Sequence, residues 1–345
     1  MINDELLMGF KKCGSSHKPL MIAEEGQAHD GDHELALRMI DLAAAAGADG
    51  VEFQLGRADD LYIREDHYHQ IYVRREFSLN QINALVNRAH EKKLIFQVAA
   101  LSPALVKSCA DVGADSFCVN AMDIDNPEML EAVATSGKPF WIATLMSNLA
   151  DVDWAVDFVR RKGATSFGLL HGQHIMTSSH GHDMPPEVMQ LDCIEMFRQR
   201  YRVPVGYVDH TSMVETPALV AMRGACVVFK HLAPRENWRG PDWEIALTPD
   251  KWFAAKAMLD KSQAMLGATK EVGKLEAADQ PLHRRSLRLS VDAKAGSIIQ
   301  STDLVSLRPG GGISPKYRDV IAGRRLTRDV KAHEALKISD IEGGI

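Results

Sequence analysis

Cysteine is scarce and unpatterned in this chain. The five residues (Cys13, Cys109, Cys118, Cys193, Cys226) are odd in number and form no Cys-x-x-Cys. That argues against a disulfide framework and for a reducing compartment. No apolar run approaches the length of a membrane span, so no membrane association is expected. An excess of positive charge is also missing. The formal net charge is −6, which leaves no electrostatic case for nucleic acid. The N-terminus, Met1-Ile-Asn-Asp-Glu-Leu-Leu, lacks the basic start and cleavage pattern of a signal peptide, and a cytoplasmic protein is expected. No glycine-rich phosphate fingerprint follows the first strand candidate. The residues there, Ala23-Glu-Glu-Gly-Gln-Ala-His-Asp-Gly-Asp32, are polar and acidic, which weighs against a doubly wound dinucleotide-binding sheet.

What is present is an ordinary globular composition, 46% hydrophobic and 25% charged over 345 residues, enough for a large domain and a small one. Four segments share a small-residue turn that feeds an apolar run: Ala46-Gly-Ala-Asp, Val112-Gly-Ala-Asp, Lys162-Gly-Ala-Thr and Arg223-Gly-Ala-Cys. Each follows a helix-like stretch, so its glycine fits a left-handed helix C-terminus. Between them lie further strand candidates at Leu20–Glu24, Leu94–Ala99, Phe140–Thr144 and Val203–Val208. Strands alternating with helices imply parallel pairing through right-handed crossovers. Eight such units in about 260 residues match a (β/α)8 TIM barrel.

His210 and His231 end two successive apolar runs, Val203-Pro-Val-Gly-Tyr-Val-Asp-His210 and Ala225-Cys-Val-Val-Phe-Lys-His231. Parallel strands would bring both imidazoles to one rim, where they could share a metal ion. The plainer alternative is two unrelated histidines among fourteen. The pattern changes character near residue 270. We read residues 1–268 as the barrel, 269–283 as a linker and 284–345 as a small β-rich domain. About sixty residues is little for an independent core, so that domain is expected to lean on the barrel or on another subunit.

The motifs, taken in order, resemble those of the sialic acid synthase (N-acetylneuraminate synthase) family over nearly the whole chain. Ile22-Ala-Glu-Glu-Gly with His29-Asp-Gly-Asp32 resembles that family's first strand, and Gly47-Ala-Asp-x-Val-x-Phe-Gln54 its second. Pro204-Val-Gly-Tyr-x-Asp-His-Thr211 and Gly224-Ala-Cys-Val-x-x-Lys-His231 resemble its seventh and eighth. Gly240-Pro-Asp242 resembles a Gly-Pro-Asp-His motif, and Arg308-Pro-Gly-x-Gly-Ile-Ser-Pro315 resembles the C-terminal antifreeze-like (SAF) domain.

The resemblance implies an aldol-type condensation. Phosphoenolpyruvate and an N-acyl amino sugar form a 3-deoxy-2-keto sugar acid and release phosphate. It also implies a divalent ion on His210 and His231, manganese first, with magnesium, cobalt or zinc as alternatives. Glu24 would be catalytic, and Gln54, Asp209, Lys230, Asp242 and Arg308 would bind substrate. The family forms homodimers in which the SAF domain of one chain covers the barrel mouth of the other, and Arg308 would arrive that way.

The departures cluster on the donor side. Where the family has a Lys in Val-Lys-Phe-Gln, this chain has Glu52, and the fourth-strand Lys is replaced by Cys118. Ala121 and Val208 stand for serines, Ala99 and Ala143 lie in altered third- and fifth-strand motifs, and Phe229 replaces a Glu. Losing two lysines removes charge-assisted donors worth roughly 1.5–3 kcal/mol each to an anionic ligand. A changed donor site on a retained metal is therefore expected. The alternatives are a non-catalytic carbohydrate-binding or scaffolding member, or a lyase or hydrolase of a keto-acid sugar. The loop His171-Gly-Gln-His-Ile-Met-Thr-Ser-Ser-His-Gly-His182 adds four histidines that could be ligands, proton carriers or merely solvated. His67 and His69 read as surface or lid residues. Trp238 and Trp243 could stack on a sugar or pack a domain junction.

Overall fold

A computed structural model describes residues 5–175 and 183–345. Its eight parallel strands close in the order β10-β3-β4-β5-β6-β7-β8-β9. They are β3 (Leu20–Glu24), β4 (Gly50–Leu55), β5 (Ile95–Ala100), β6 (Ser116–Val119), β7 (Phe140–Ala143), β8 (Phe167–Gly172), β9 (Val205–Asp209) and β10 (Val227–His231). The barrel closes through β10 on β3, with His231 opposite Glu24. The expected strands are all present, with shifts of a residue or two. The largest is β9, which starts after Pro204 because proline has no N–H for a ladder.

The repeated Gly-Ala turns behave as expected. Gly47, Gly113, Gly163 and Gly224 all have positive φ, between 81° and 104°, directly after a helix. Each lets the chain leave its helix and enter the next strand without a Cβ clash. Helix starts are set by side-chain caps. Asp32 accepts from Leu35 N at 3.0 Å, and Ser78 with Gln81 forms a capping box.

Side chains alternate across the barrel wall. Phe53, Phe96, Phe117, Tyr207 and Val228 face outward into the core shared with the helices. Ile22, Ile95, Trp141, Leu170 and Phe229 face inward. An N-terminal hairpin, β1 (Glu5–Met8) and β2 (Lys11–Gly14), joins that inner cluster through Leu6, Met8 and Cys13. It sits at the N-terminal end of the barrel, where Lys11 Nζ meets Asp49 at 2.8 Å. Nothing in the sequence reading anticipated it.

The chain divides into two compact units, Met1–Leu266 and Gly267–Ile345. The stretch 269–283 carries an exposed helix, Lys274–His283. In the second unit β11 (Ser286–Leu289) pairs antiparallel with β12 (Leu304–Leu307). The second unit has its own apolar cluster, including Leu287, Leu304, Ile321, Leu326 and Ile341. Arg328 braces it, bonding Asp340 and Glu334 at 2.7 Å each.

Candidate active site

The C-terminal ends of the barrel strands enclose a cavity of about 300 Å³. Parity decides what lines it. On β3, β9 and β10 the inward positions end at Glu24, His210 and His231, all buried. One donor atom from each of the three lies within 4.8 Å of the others. The two imidazole rings are 5.6 Å apart, and His231 Nε2 is 3.4 Å from Glu24 Oε2. His210 Nδ1 lies 3.0 Å from the Gln173 carbonyl, to which it can only donate, so Nε2 is left with its lone pair free. Burial pushes both histidines down, His210 strongly, which keeps them in the neutral form that binds metals. Burial pushes Glu24 up to about 7, opposed by a hydrogen bond from Gln54 at 3.2 Å. Among the described residues, Glu24 Oε2 has no hydrogen-bond partner. This set fits a divalent ion: two neutral imidazoles and one carboxylate, whose Oε2 is the orphaned acceptor.

Backbone shape supports the cluster. Gly26, at φ 56°, lies so close to His231 that an added Cβ would be 2.4 Å from Nδ1 and 2.9 Å from Asp242 Oδ2. Glu25 is buried below it. Its carboxylate accepts from the N–H of Gln27 at 3.1 Å and from the N–H of His29, and burial pushes it up to about 8.

The opposite wall comes from β4 to β7. Glu52, Ala99, Cys118, Ala121, Ala143 and Leu145 line it, with Val208 of β9. Burial, then the neighbouring Glu24, raises Glu52 well above the usual carboxylate range, and Gln97 donates to it. Ser116 in turn donates to Gln97 at 2.7 Å. The Cys118 thiol is also pushed up by burial. Burial thus favours the uncharged forms of Glu52 and Cys118, and among the described residues no lysine lines this wall.

The structure brings Glu24, Gln54, His210, His231 and Asp242 to one cavity. It does not bring Asp209 and Lys230 there. Each precedes a histidine by one residue, so the strand alternation turns both away from the cavity. They form a fully buried pair, with Lys230 Nζ 3.0 Å from Asp209 Oδ2. Asp209 also accepts from Thr211 N at 2.9 Å and Oγ1 at 2.7 Å. The expected substrate contact is therefore not seen for these two, which do not line the cavity. Arg308 is exposed, beside β12 in the second unit.

Of the histidine loop, His174 lines the cavity, its ring 5.3 Å from that of His210. His171 faces outward and bonds the Met189 carbonyl at 3.0 Å. His180 and His182 lie outside the described residues. His67 is exposed, but His69 is buried, 2.9 Å from Asp59, so it is no surface group. Trp238 packs on Gly240, and Arg239 stacks over Trp243 at 4.2 Å; neither indole lines the cavity. The sequence reading missed Gln27, Tyr72, Arg75 and Asn120, which do line it. Asn120 follows Cys118 by two residues, so strand parity could have found it. Tyr72 and Arg75 carry no such signal.

A closed parallel barrel with two histidines and a carboxylate at its C-terminal end defines the class: a TIM-barrel protein with its candidate site in the usual place for that fold. The comparisons with known proteins narrow this. Residues 39–271 match the NeuB family, and residues 284–342 match the SAF domain. The chain is 27% identical to N,N'-diacetyllegionaminic acid synthase of Legionella pneumophila, covering 99% of this chain and 100% of the relative. It is 23% identical to N-acetylneuraminate-9-phosphate synthase of Mus musculus, over 95% and 94% of the two chains. The crystal structure of N-acetylneuraminic acid (sialic acid) synthetase from Leptospira borgpetersenii superposes with a TM-score of 0.73 at 27% identity, over 80% of this chain and 95% of that one. This chain belongs to the NeuB family, the sialic acid synthase-like proteins, and ends in a SAF domain.

Proposed function

We propose that the protein is a metal-dependent synthase of an acidic sugar. It would join a three-carbon, phosphoenolpyruvate-like donor to an N-acyl amino sugar or related aldehyde by aldol-type condensation. The observation that carries this reading is the meeting of Glu24, His210 and His231 at the barrel mouth. A divalent ion bound there, manganese first, supplies a Lewis acid for a carbonyl oxygen. In the balanced reaction, donor C3 bonds to the aldehyde carbon, water adds at C2 and phosphate leaves. Without metal, burial pushes Glu24 up to about 7. With an ion held by the cluster, Glu24 would be ionised and would serve as its carboxylate ligand, facing the reacting groups. Gln54 orients Glu24 through its amide, and Asp242 faces the same space.

The donor half is altered. Glu52 and Cys118 occupy the positions where the family resemblance places lysines, and among the described residues no lysine lines the cavity. The donor would therefore carry less charge than phosphoenolpyruvate, or bind it weakly. The same loss favours a second, non-catalytic carbohydrate-binding reading. One assay separates them. Manganese-loaded protein is incubated with N-acetylmannosamine and either phosphoenolpyruvate or pyruvate, and 2-keto-3-deoxy acid is sought by mass spectrometry. Product that disappears in His231→Ala supports the synthase. No product from either donor favours the binding protein.

We further infer a domain-swapped homodimer in which Arg308 of one chain serves the partner's cavity. Mixing His231→Ala with Arg308→Ala chains should restore sugar binding in one site per mixed dimer; no recovery would refute the exchange. All five cysteines are free thiols.

A further inference from the structure

From the metal-ligand set the cavity extends in two directions. Toward the floor it meets Glu52, Cys118 and alanines, all without positive charge. Toward the rim it meets Gln27, Tyr72, Arg75 and Asp242. Arg75 is the one arginine or lysine among the described residues that lines this cavity. It ends the helix His67–Arg75, in the connection that follows β4. Its side chain is only 15% exposed, and two contacts hold it. Nε donates to Asp30 Oδ1 at 2.8 Å, and the guanidinium lies 5.7 Å from the Tyr72 ring centroid. Nε accounts for one of five N–H donors. Among the described residues, no hydrogen bond or ion pair engages the other edge, and none joins Arg75 to Asp242. A guanidinium clamped on one edge and free on the other presents a planar fork that matches a carboxylate or phosphate.

We propose that Arg75 is the anion anchor of this cavity. The anion it takes is an oxyanion, phosphate or carboxylate, on the sugar portion of the substrate. The polar rim of Gln27, Tyr72 and Asp242 suits a polyhydroxylated chain, whereas the floor, without a cationic side chain, suits a small, weakly charged fragment. The charge that recognises the substrate therefore sits at the rim. This rests on the reading of the cavity as the site of a sugar-acid synthase.

The test is calorimetric binding to the manganese-loaded full chain, without donor. The probes are N-acetylmannosamine, its 6-phosphate and the corresponding uronic acid. The quantity read is the ratio of dissociation constants, uncharged over charged. One charge-assisted fork predicts a ratio of about 10–100 for the wild type with the phosphate or the carboxylate probe, and which probe shows it names the anion. The ratio should fall to about one in Arg75→Met and to an intermediate value in Arg75→Lys, which keeps charge but not the fork. It should also shrink as salt is raised. A wild-type ratio near one for both charged probes, or a ratio untouched by Arg75→Met, overturns the proposal while leaving the synthase reading intact. If the wild type binds none of the three sugars, the proposal falls together with the reading on which it rests.

Discussion

Two walls of one cavity obey the same strand alternation and present opposite chemistry. The β3, β9 and β10 wall gathers Glu24, His210 and His231, with Gly26 pressed against the last. The β4–β7 wall offers Glu52, Cys118 and three alanines, none of them cationic. Each inward side chain is replaceable without disturbing the outward core, because neighbours along a strand face opposite ways. A barrel can thus keep one half of its site and rebuild the other, and fold alone does not specify the reaction.

If the first wall is one chelating unit, breaking it should remove the metal and leave the fold. Removing both imidazoles in His210→Ala/His231→Ala should lower bound manganese from about one ion per chain to background in elemental analysis. Equal metal in variant and wild type would dissolve the contrast between the walls.

The same wall has a frame behind it. In Asp209→Asn the fully buried Lys230 loses its counter-charge. Breaking such a pair costs about 3–5 kcal/mol, or roughly 10 °C in Tm for a chain of this size. A melt within 2 °C of wild type would show that the pair frames nothing.

Gly26→Ala probes the same wall more gently. The new Cβ must displace His231, at a φ that alanine resists. We expect about 1–3 kcal/mol of destabilisation and, because the ligand is re-aimed, roughly 10–100-fold weaker metal binding. Unchanged metal affinity would mean that Gly26 serves only the turn.

The smallest effect concerns pH in chelated protein. The native Glu25 carboxyl, near 8, lies above its unfolded value of 4.5. Its contribution is therefore full below 4.5 and is lost as pH rises through 8. His29, held near 4 by burial, acts oppositely: its contribution is present above 6.5 and is lost as pH falls toward 4. Stability should drop by about 1–2 kcal/mol between pH 6.5 and 8, and by less in Glu25→Gln. A flat wild-type profile over that range would contradict the assignment.

Much of this was legible in the chain. The Gly-Ala turns located half the strands, the strand-end positions of His210 and His231 located the polar wall, and the family resemblance added Glu24 and Gln54 to it. Asp209 and Lys230 were misplaced because they adjoin the histidines in sequence, while the two-residue period sends them to the far side. The hairpin Glu5–Gly14 was missed because its strands are four residues long and its Gly9-Phe10 turn is a weak signal. Arg75 was invisible because its burial depends on how the helix His67–Arg75 folds over the mouth. No periodicity in that polar helix announces it.

The account turns on the contrast between a wall able to chelate an ion and a floor that, among the described residues, carries no cation. Titration of phosphoenolpyruvate into manganese-loaded protein tests it directly. Two missing charge-assisted anchors, roughly 3–6 kcal/mol together, predict a Kd weaker than about 1 mM. A micromolar Kd, with rapid phosphate release on adding N-acetylmannosamine, would contradict it.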